Sequence, residues 1–213
     1  MQHDEELELE QLKDWWQRNG RPIVLGLVVA AVLVLAWQSW HRIKSNRQDQ
    51  ASALYSTLLG MAMVPKEQIN LTQIANLGNE LDKNYSNTIY GQYGRLVLAR
   101  VAVDQGQLAD AVTQLKPVAD SPLNPVIGEL ARERLARVLA SQGKPNDALA
   151  LLGNAPPKNY LAAREELRGD LLMGLDRKKE ALDAYHKAKA ALGKDANGHI
   201  LQMKLDNLGD GDA

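Results

Sequence analysis

The stretch GDLLMGLDRKKEALDAYHKA, residues 169–188, contains the packing pattern from which we predict the fold. Small residues stand at Gly169 and Ala181, twelve positions apart, and a large residue, Tyr185, follows four positions later. Two helices can pack closely only where one of the side chains at their crossing is small. The spacing therefore predicts two antiparallel helices joined by a turn at 174–177, with Tyr185 filling the groove beside the crossing.

The same spacing occurs twice earlier in the chain. Each unit has a small residue, an alanine twelve positions later, a large apolar residue after four more and a further small residue after three. These positions are Ala99, Ala111, Leu115 and Val118 in the first unit, and Ala136, Ala148, Leu152 and Ala155 in the second. The three registers predict three similar helix pairs, with turns at 104–107 and 141–145 in the first two.

This pattern resembles the tetratricopeptide repeat, which has a period of about 34 residues. The resemblance implies a stack of helix pairs whose concave face binds other proteins. A poorly fitting unit at 52–82 would act as a cap, and a generic helical bundle is the alternative architecture. In the register of the repeat, the groove is lined by Tyr93, Leu96, Arg100, Val103, Leu130 and Arg137.

A second feature is the apolar run near the N-terminus. No charged residue occurs from Pro22 to Trp40, and nineteen helical residues span about 28 Å, close to the hydrocarbon thickness of a bilayer. Tryptophan favours membrane interfaces, and all four tryptophans flank the run, at Trp15, Trp16, Trp37 and Trp40. The leader is long and acidic, unlike that of a cleaved signal peptide. We therefore predict an uncleaved membrane-spanning helix in contact with lipid.

The chain is consequently expected to be all-α, with four parts. An acidic tail covers 1–21, the transmembrane helix 22–40, a connecting helix 41–63 that ends before Pro65, and a tetratricopeptide-like repeat domain 64–213. Orientation is left open by charge, because three bases stand on each side of the apolar run. They are Lys13, Arg18 and Arg21 before it, and Arg42, Lys44 and Arg47 after it.

Nothing in the sequence indicates catalysis, a cofactor or a metal. From residue 50 onward there are 19 bases and 19 acids, so the domain lacks the positive charge that nucleic-acid binding requires. The chain has no cysteine, and its four histidines are not spaced as metal ligands. The charges at 164–168 are typical of surface ion pairing, and those of Arg132, Arg134 and Arg137 of a solvated face. We expect a protein that is not an enzyme.

The layout as a whole resembles the YfgM family, the ancillary subunits of the bacterial SecYEG translocon. Besides the acidic tail and the Trp-edged helix, the matching motifs are Leu-Ala-Arg-Val at 135–138, Leu-Arg-Gly-Asp at 167–170 and Met-Lys-Leu-Asp-Asn-Leu at 203–208. The resemblance implies an inner-membrane protein with its tail in the cytosol and its repeat domain in the periplasm.

The resemblance also implies partners. These are SecYEG, the periplasmic chaperone PpiD and, through the tail at 1–21, the response regulator RcsB. The implied role is to help pass newly translocated chains to periplasmic chaperones. Another membrane-tethered repeat scaffold, serving envelope assembly or cytochrome maturation, is the alternative.

Overall fold

The structure is a computed structural model that describes residues 2–65, 68–193 and 198–209. Helices make up most of these residues. No strand occurs in these ranges, which confirms the all-α prediction. The α-helices are α1 (Gln2–Ala62), α2 (Leu71–Tyr85), α3 (Ile89–Asp104), α4 (Leu108–Asp120), α5 (Pro125–Ser141), α6 (Pro145–Leu151), α7 (Leu161–Gly174), α8 (Lys178–Ala191) and α9 (His199–Asn207). One turn of 3₁₀-helix, Lys158–Tyr160, precedes α7.

The chain divides into two compact units, Met1–Asp49 and Gln50–Ala213. Helix α1 contains a segment, Arg18–Ala62, that is long and apolar enough to cross a membrane. It is the single candidate of this kind among the described residues, and none of its most apolar stretch is buried. The predicted span 22–40 lies within this segment, and the four tryptophans are at least half exposed.

The second unit begins at Gln50, whereas the sequence placed the start of the repeat domain at residue 64. Ala51 and Leu58 of α1 are completely buried and pack in one cluster with apolar residues of α2 and α3. The last turns of α1 therefore belong to the core of this unit. The helix ends at Ala62, before Pro65, as the position of that proline predicted.

Three helix pairs follow α2, formed by α3 with α4, α5 with α6, and α7 with α8. The two helices of each pair pack against each other, and α4 also packs against α5. Several helices begin at a residue whose side chain caps the helix. The side chains of Asn70, Thr88 and Asn124 accept hydrogen bonds from N–H groups in the first turns of α2, α3 and α5.

The first helix of each pair ends in the same kind of turn. Gly106, Gly143 and Asp176 occupy equivalent positions and have positive φ angles of 75°, 75° and 56°. In each turn the following residue donates its N–H to the carbonyl oxygen five positions earlier, with N···O distances of 2.8 Å for Gln107–Ala102, 2.9 Å for Lys144–Leu139 and 3.0 Å for Arg177–Leu172. This Schellman arrangement satisfies the last carbonyl groups of a helix. The turns predicted between the paired helices are confirmed.

The small residues predicted at the helix crossings are buried. Ala111, Ala148 and Ala181 have no exposed surface. At Gly169, an added Cβ would lie 2.3 Å from Cε1 of Tyr185, far inside van der Waals contact. Only glycine allows Tyr185 to pack as the spacing predicted, and Tyr185 is itself 3% exposed.

The second helix pair departs from the prediction. Ala155 was expected as a small packing residue, but it is exposed and lies beyond α6, which ends at Leu151. Gly153 lies before Ala155 and the pair Pro156-Pro157 after it, and glycine and proline both oppose continuation of a helix. An irregular segment therefore replaces the last turns of this helix.

The shared turn geometry gives a first testable prediction. Gly143→Ala should lower the free energy of unfolding by about 1 kcal/mol, because a Cβ is disfavoured at positive φ. Asp176→Gly should raise it by about 0.5 kcal/mol, because glycine adopts positive φ without that penalty. Thermal unfolding of the full-length protein in mild detergent, followed by far-UV circular dichroism, measures both changes.

Gly60→Ala is the matched control for these variants. Gly60 lies within α1, and its added Cβ would meet no atom within 4 Å. This change should therefore stabilise the protein, because alanine is a better helix former than glycine. A Gly143→Ala protein that unfolds at or above the parent temperature would contradict the assignment of the turn.

Candidate protein-binding surface

A cavity of about 280 Å³ lies between α3, α4 and α5. Its buried floor is apolar and consists of Ala99, Leu115 and Val138, while Val103 stands at its edge and is 41% exposed. Three arginines complete the lining. We call this feature the arginine cavity, and its lining residues are Ala99, Arg100, Val103, Leu115, Arg134, Arg137 and Val138.

Positive charge at the arginine cavity is only partly balanced. Arg100 lies 3.7 Å from Asp104, and Arg137 lies 3.7 Å from Glu133, so both ion pairs are long. Within the described residues, Arg134 has no carboxylate at ion-pair distance. Burial lowers the pKa of Arg134, and the nearby positive charges of Arg100 and Arg137 lower it further. The three guanidinium groups therefore repel one another across the arginine cavity.

Three tyrosines form an aromatic group, and one of them, Tyr55, feels the charge of Arg134. The ring centroid of Tyr55, on the last turns of α1, lies 5.8 Å from that of Tyr93 and 5.9 Å from that of Tyr90. Burial raises the pKa of Tyr55, Tyr93 raises it further, and the positive charge of Arg134 opposes both effects. The charge of Arg134 thus reaches the Tyr55 phenol, although none of the three tyrosines lines the arginine cavity.

The six residues predicted to line a groove do not all reach one surface. Arg100, Val103 and Arg137 line the arginine cavity. Tyr93 and Leu130 are partly buried and pack against the core, whereas Leu96 is 3% exposed and belongs to that core. Leu96 is therefore inaccessible to a partner in the folded protein.

Two residues of this surface were not predicted as part of it. Arg134 was assigned to a solvated stripe, although its spacing of three from Arg137 places both on one face of α5. Tyr55 comes from a helix that the sequence assigned to the connector. Arg132 turns away from the stripe toward Glu129, at 3.7 Å. Arg134 and Arg137 are exposed, as the prediction of a solvated face had them, whereas Arg132 is only partly exposed.

Glu133 is also buried, at 7% exposure. Burial raises the pKa of its carboxyl, while Arg137 opposes that shift. Its Oε1 atom is buried and has no hydrogen-bond partner among the described residues. Arg137, 3.7 Å away, supplies the counter-charge of this poorly satisfied carboxylate.

The most buried charges form an ion pair between α5 and α7. Arg164 is 1% exposed and Glu129 is completely buried. The guanidinium binds the carboxylate through two nitrogens, with Nε 2.6 Å from Oε1. Its Nη1 donates to the carbonyl oxygens of Leu152 and Asn154, at 3.1 and 2.8 Å. For Arg164, the predicted surface ion pairing is wrong, because its partner lies 35 residues away on another helix.

This ion pair gives a second prediction. Arg164→Met or Glu129→Leu alone should cost about 3–5 kcal/mol of stability, because each leaves an unpaired charge buried. The double variant should recover most of that loss, because no buried charge then remains. Chemical unfolding of the full-length protein in detergent measures the coupling, with Lys116→Met in the exposed pair Lys116–Asp120 as control. Additive losses in the double variant would contradict a direct pair.

A second polar group joins α9 to α7 and α8. Lys204 Nζ donates to Glu166 Oε1 at 2.6 Å and to Asp170 Oδ2 at 2.9 Å, and it lies 5.6 Å from the ring centroid of Tyr185. The Tyr185 hydroxyl donates to Asp170 Oδ1 at 2.8 Å. The motifs at 167–170 and 203–208 are therefore in contact through Asp170 and Lys204.

Both donors in this group have shifted pKa values. Burial raises the pKa of Tyr185, and its hydrogen bond to Asp170 raises it further. Burial opposes the charge of Lys204, but hydrogen bonds to Asp170 and Glu166 outweigh it and raise the pKa of the ammonium group. A group whose pKa is higher in the folded than in the unfolded protein stabilises the fold fully at pH values below the unfolded pKa. That stabilisation is lost as the pH rises through the folded pKa.

We therefore expect the stability of the protein to fall above about pH 10, where both side chains deprotonate in the unfolded chain. Tyr185→Phe removes one of the two titrations and should make this fall shallower. Unfolding midpoints from neutral to strongly alkaline pH measure the slope, with Tyr160→Phe, in the 3₁₀ turn before α7, as control. Equal slopes for the parent and Tyr185→Phe would contradict the argument.

These features define a helical-repeat protein that carries a candidate membrane-spanning helix and an arginine-lined cavity. In the described residues, no group of three or more histidine, aspartate or glutamate side chains could hold a metal ion. The chain belongs to the tetratricopeptide repeat-like domain family, whose model matches residues 13–210. No solved structure is significantly similar to it.

Relatives cover nearly the whole chain and share one name, "Ancillary SecYEG translocon subunit". The relative from Haemophilus influenzae is 26% identical, over 96% of this chain and 98% of its own length. That from Neisseria gonorrhoeae is 28% identical, over 96% and 97%, and that from Escherichia coli is 23% identical, over 94% and 95%. These matches confirm the resemblance stated from the sequence motifs.

Proposed function

We propose that this protein is a membrane-anchored adaptor without enzymatic activity that associates with the SecYEG translocon. The observation that carries the proposal is the similarity, over nearly the full length, to ancillary SecYEG translocon subunits. The apolar segment within Arg18–Ala62 supports the anchor, because it is unburied and long enough to cross a bilayer. The helical-repeat domain supports an adaptor role, because stacked helix pairs offer broad surfaces for protein binding.

The finer part of the proposal concerns location and partners. The anchor lies in the bacterial inner membrane in contact with lipid, with the tail 1–21 in the cytosol and the repeat domain in the periplasm. There the domain receives chains that leave the translocon and helps pass them to periplasmic chaperones, with PpiD as the partner. The cytosolic tail contacts the response regulator RcsB. The support for these points is the resemblance of the motifs at 167–170 and 203–208 to the YfgM family.

Copurification tests the proposal. The full-length protein, expressed at its natural level and solubilised in mild detergent, should bring SecY and PpiD with it. A photo-crosslinking residue at Val103, beside the arginine cavity, should trap translocating chains more often than one at Ile200, which is also exposed. Absence of SecY after crosslinking in the cell would refute the association.

A reporter that is active only in the periplasm, fused after Ala213, tests the orientation in the same cells. Activity of this fusion is expected, and activity of a fusion to the N-terminus instead would reverse the topology. Capture of RcsB should require the tail, so deletion of 2–14 should remove RcsB while SecY is retained.

A further inference from the structure

The arginine cavity has a shape and charge that restrict what it can bind. Its volume of about 280 Å³ is slightly below the roughly 300–1,000 Å³ of pockets that enclose whole small ligands. Its floor of Ala99, Leu115 and Val138 is apolar. A space of this size suits one or two apolar side chains that project from a larger partner, as anchor residues do in protein interfaces.

The positive charge of the arginine cavity favours negatively charged residues beside that apolar side chain. Arg100, Arg134 and Arg137 line one cavity, and the carboxylates of Asp104 and Glu133 lie 3.7 Å from Arg100 and Arg137. A carboxylate brought between the guanidinium groups would relieve their repulsion and could bind them through paired hydrogen bonds. Among the described residues Arg134 has no carboxylate at ion-pair distance, so a carboxylate that binds it need not displace Asp104 or Glu133.

We infer that the arginine cavity binds a polypeptide segment in which an apolar side chain is flanked by aspartate or glutamate. The apolar side chain enters between Val103 and Val138, and the carboxylates bind Arg134 and Arg137 at the edge. This inference rests on the proposed function, because it names the chemistry of the polypeptide that the adaptor holds.

The surroundings of the cavity favour such a segment over other anions. The domain from residue 50 onward is electrically neutral, so the charge is local and does not extend along a surface as nucleic-acid binding requires. A recessed apolar floor cannot touch the flat surface of a lipid bilayer.

The test uses the full-length protein in nanodiscs of phosphatidylcholine and four short fluorescent peptides with blocked ends. One alternates leucine with aspartate, the second replaces aspartate with asparagine, the third with lysine, and the fourth replaces leucine with serine. Fluorescence anisotropy should give binding of the leucine–aspartate peptide at least about tenfold tighter than of the other three. Added salt should weaken that binding.

Variants connect the binding to the cavity. Arg134→Gln together with Arg137→Gln should weaken binding of the leucine–aspartate peptide about tenfold. Val103→Glu should also weaken it, because it places a negative charge, which repels the aspartates of the peptide, at the edge of the cavity. Lys187→Gln removes a positive charge from the exposed face of α8 and should leave binding unchanged. Unchanged circular dichroism spectra establish that each variant is folded.

Three results would overturn the inference. They are equal binding of the asparagine peptide, full binding by the double arginine variant, and a preference of the same arginines for vesicles of phosphatidylglycerol over the peptide. The proposed function has a separate readout. SecY that copurifies with a protein unable to bind the peptide refutes only the inference, whereas peptide binding without SecY refutes only the translocon association.

Discussion

The buried ion pair between Arg164 and Glu129 is the interaction on which the arrangement of the repeat domain depends. Removing two charges from water costs several kcal/mol per ion, so such a pair persists only when its hydrogen bonds are nearly complete. Here the guanidinium makes two bonds to the carboxylate and two to the carbonyl oxygens of Leu152 and Asn154. Helix α6 ends before Asn154, and the residue four positions after Leu152 is Pro156, which has no N–H to donate, so neither carbonyl has a helical partner. Arg164 thus replaces part of a missing helix.

The same ion pair orients the surface that we propose as a binding site. Successive residues of an α-helix are rotated by about 100°, since 3.6 residues make one turn. Glu129 lies inside, Arg137 is rotated about 80° from it and Arg134 about 140°, so both arginines reach the edge of α5 that lines the arginine cavity. A rotation of α5 that took Glu129 away from Arg164 would also move these arginines from the cavity.

The C-terminal end of the domain uses the same principle on a smaller scale. Lys204 joins α9 to Asp170 and Glu166, and Leu201 and Leu205 cover the apolar side of α8. A stack of helix pairs needs a terminal element with one apolar and one polar face. Contact between the motifs at 167–170 and 203–208 gives a physical reason for their joint presence in the resemblance.

Features that depend on near neighbours in the chain can be predicted from the sequence. Helix spacing, the turns at Gly106 and Gly143, and the apolar run could be predicted because each depends on residues within one or two helical turns. Half of the predicted groove, Arg100, Val103 and Arg137, likewise follows from the repeat register. Tertiary structure alone decided the burial of Arg164 and the place of Tyr55 beside Arg134, because their partners lie tens of residues away. No local pattern reports whether a charged side chain meets water or a distant partner.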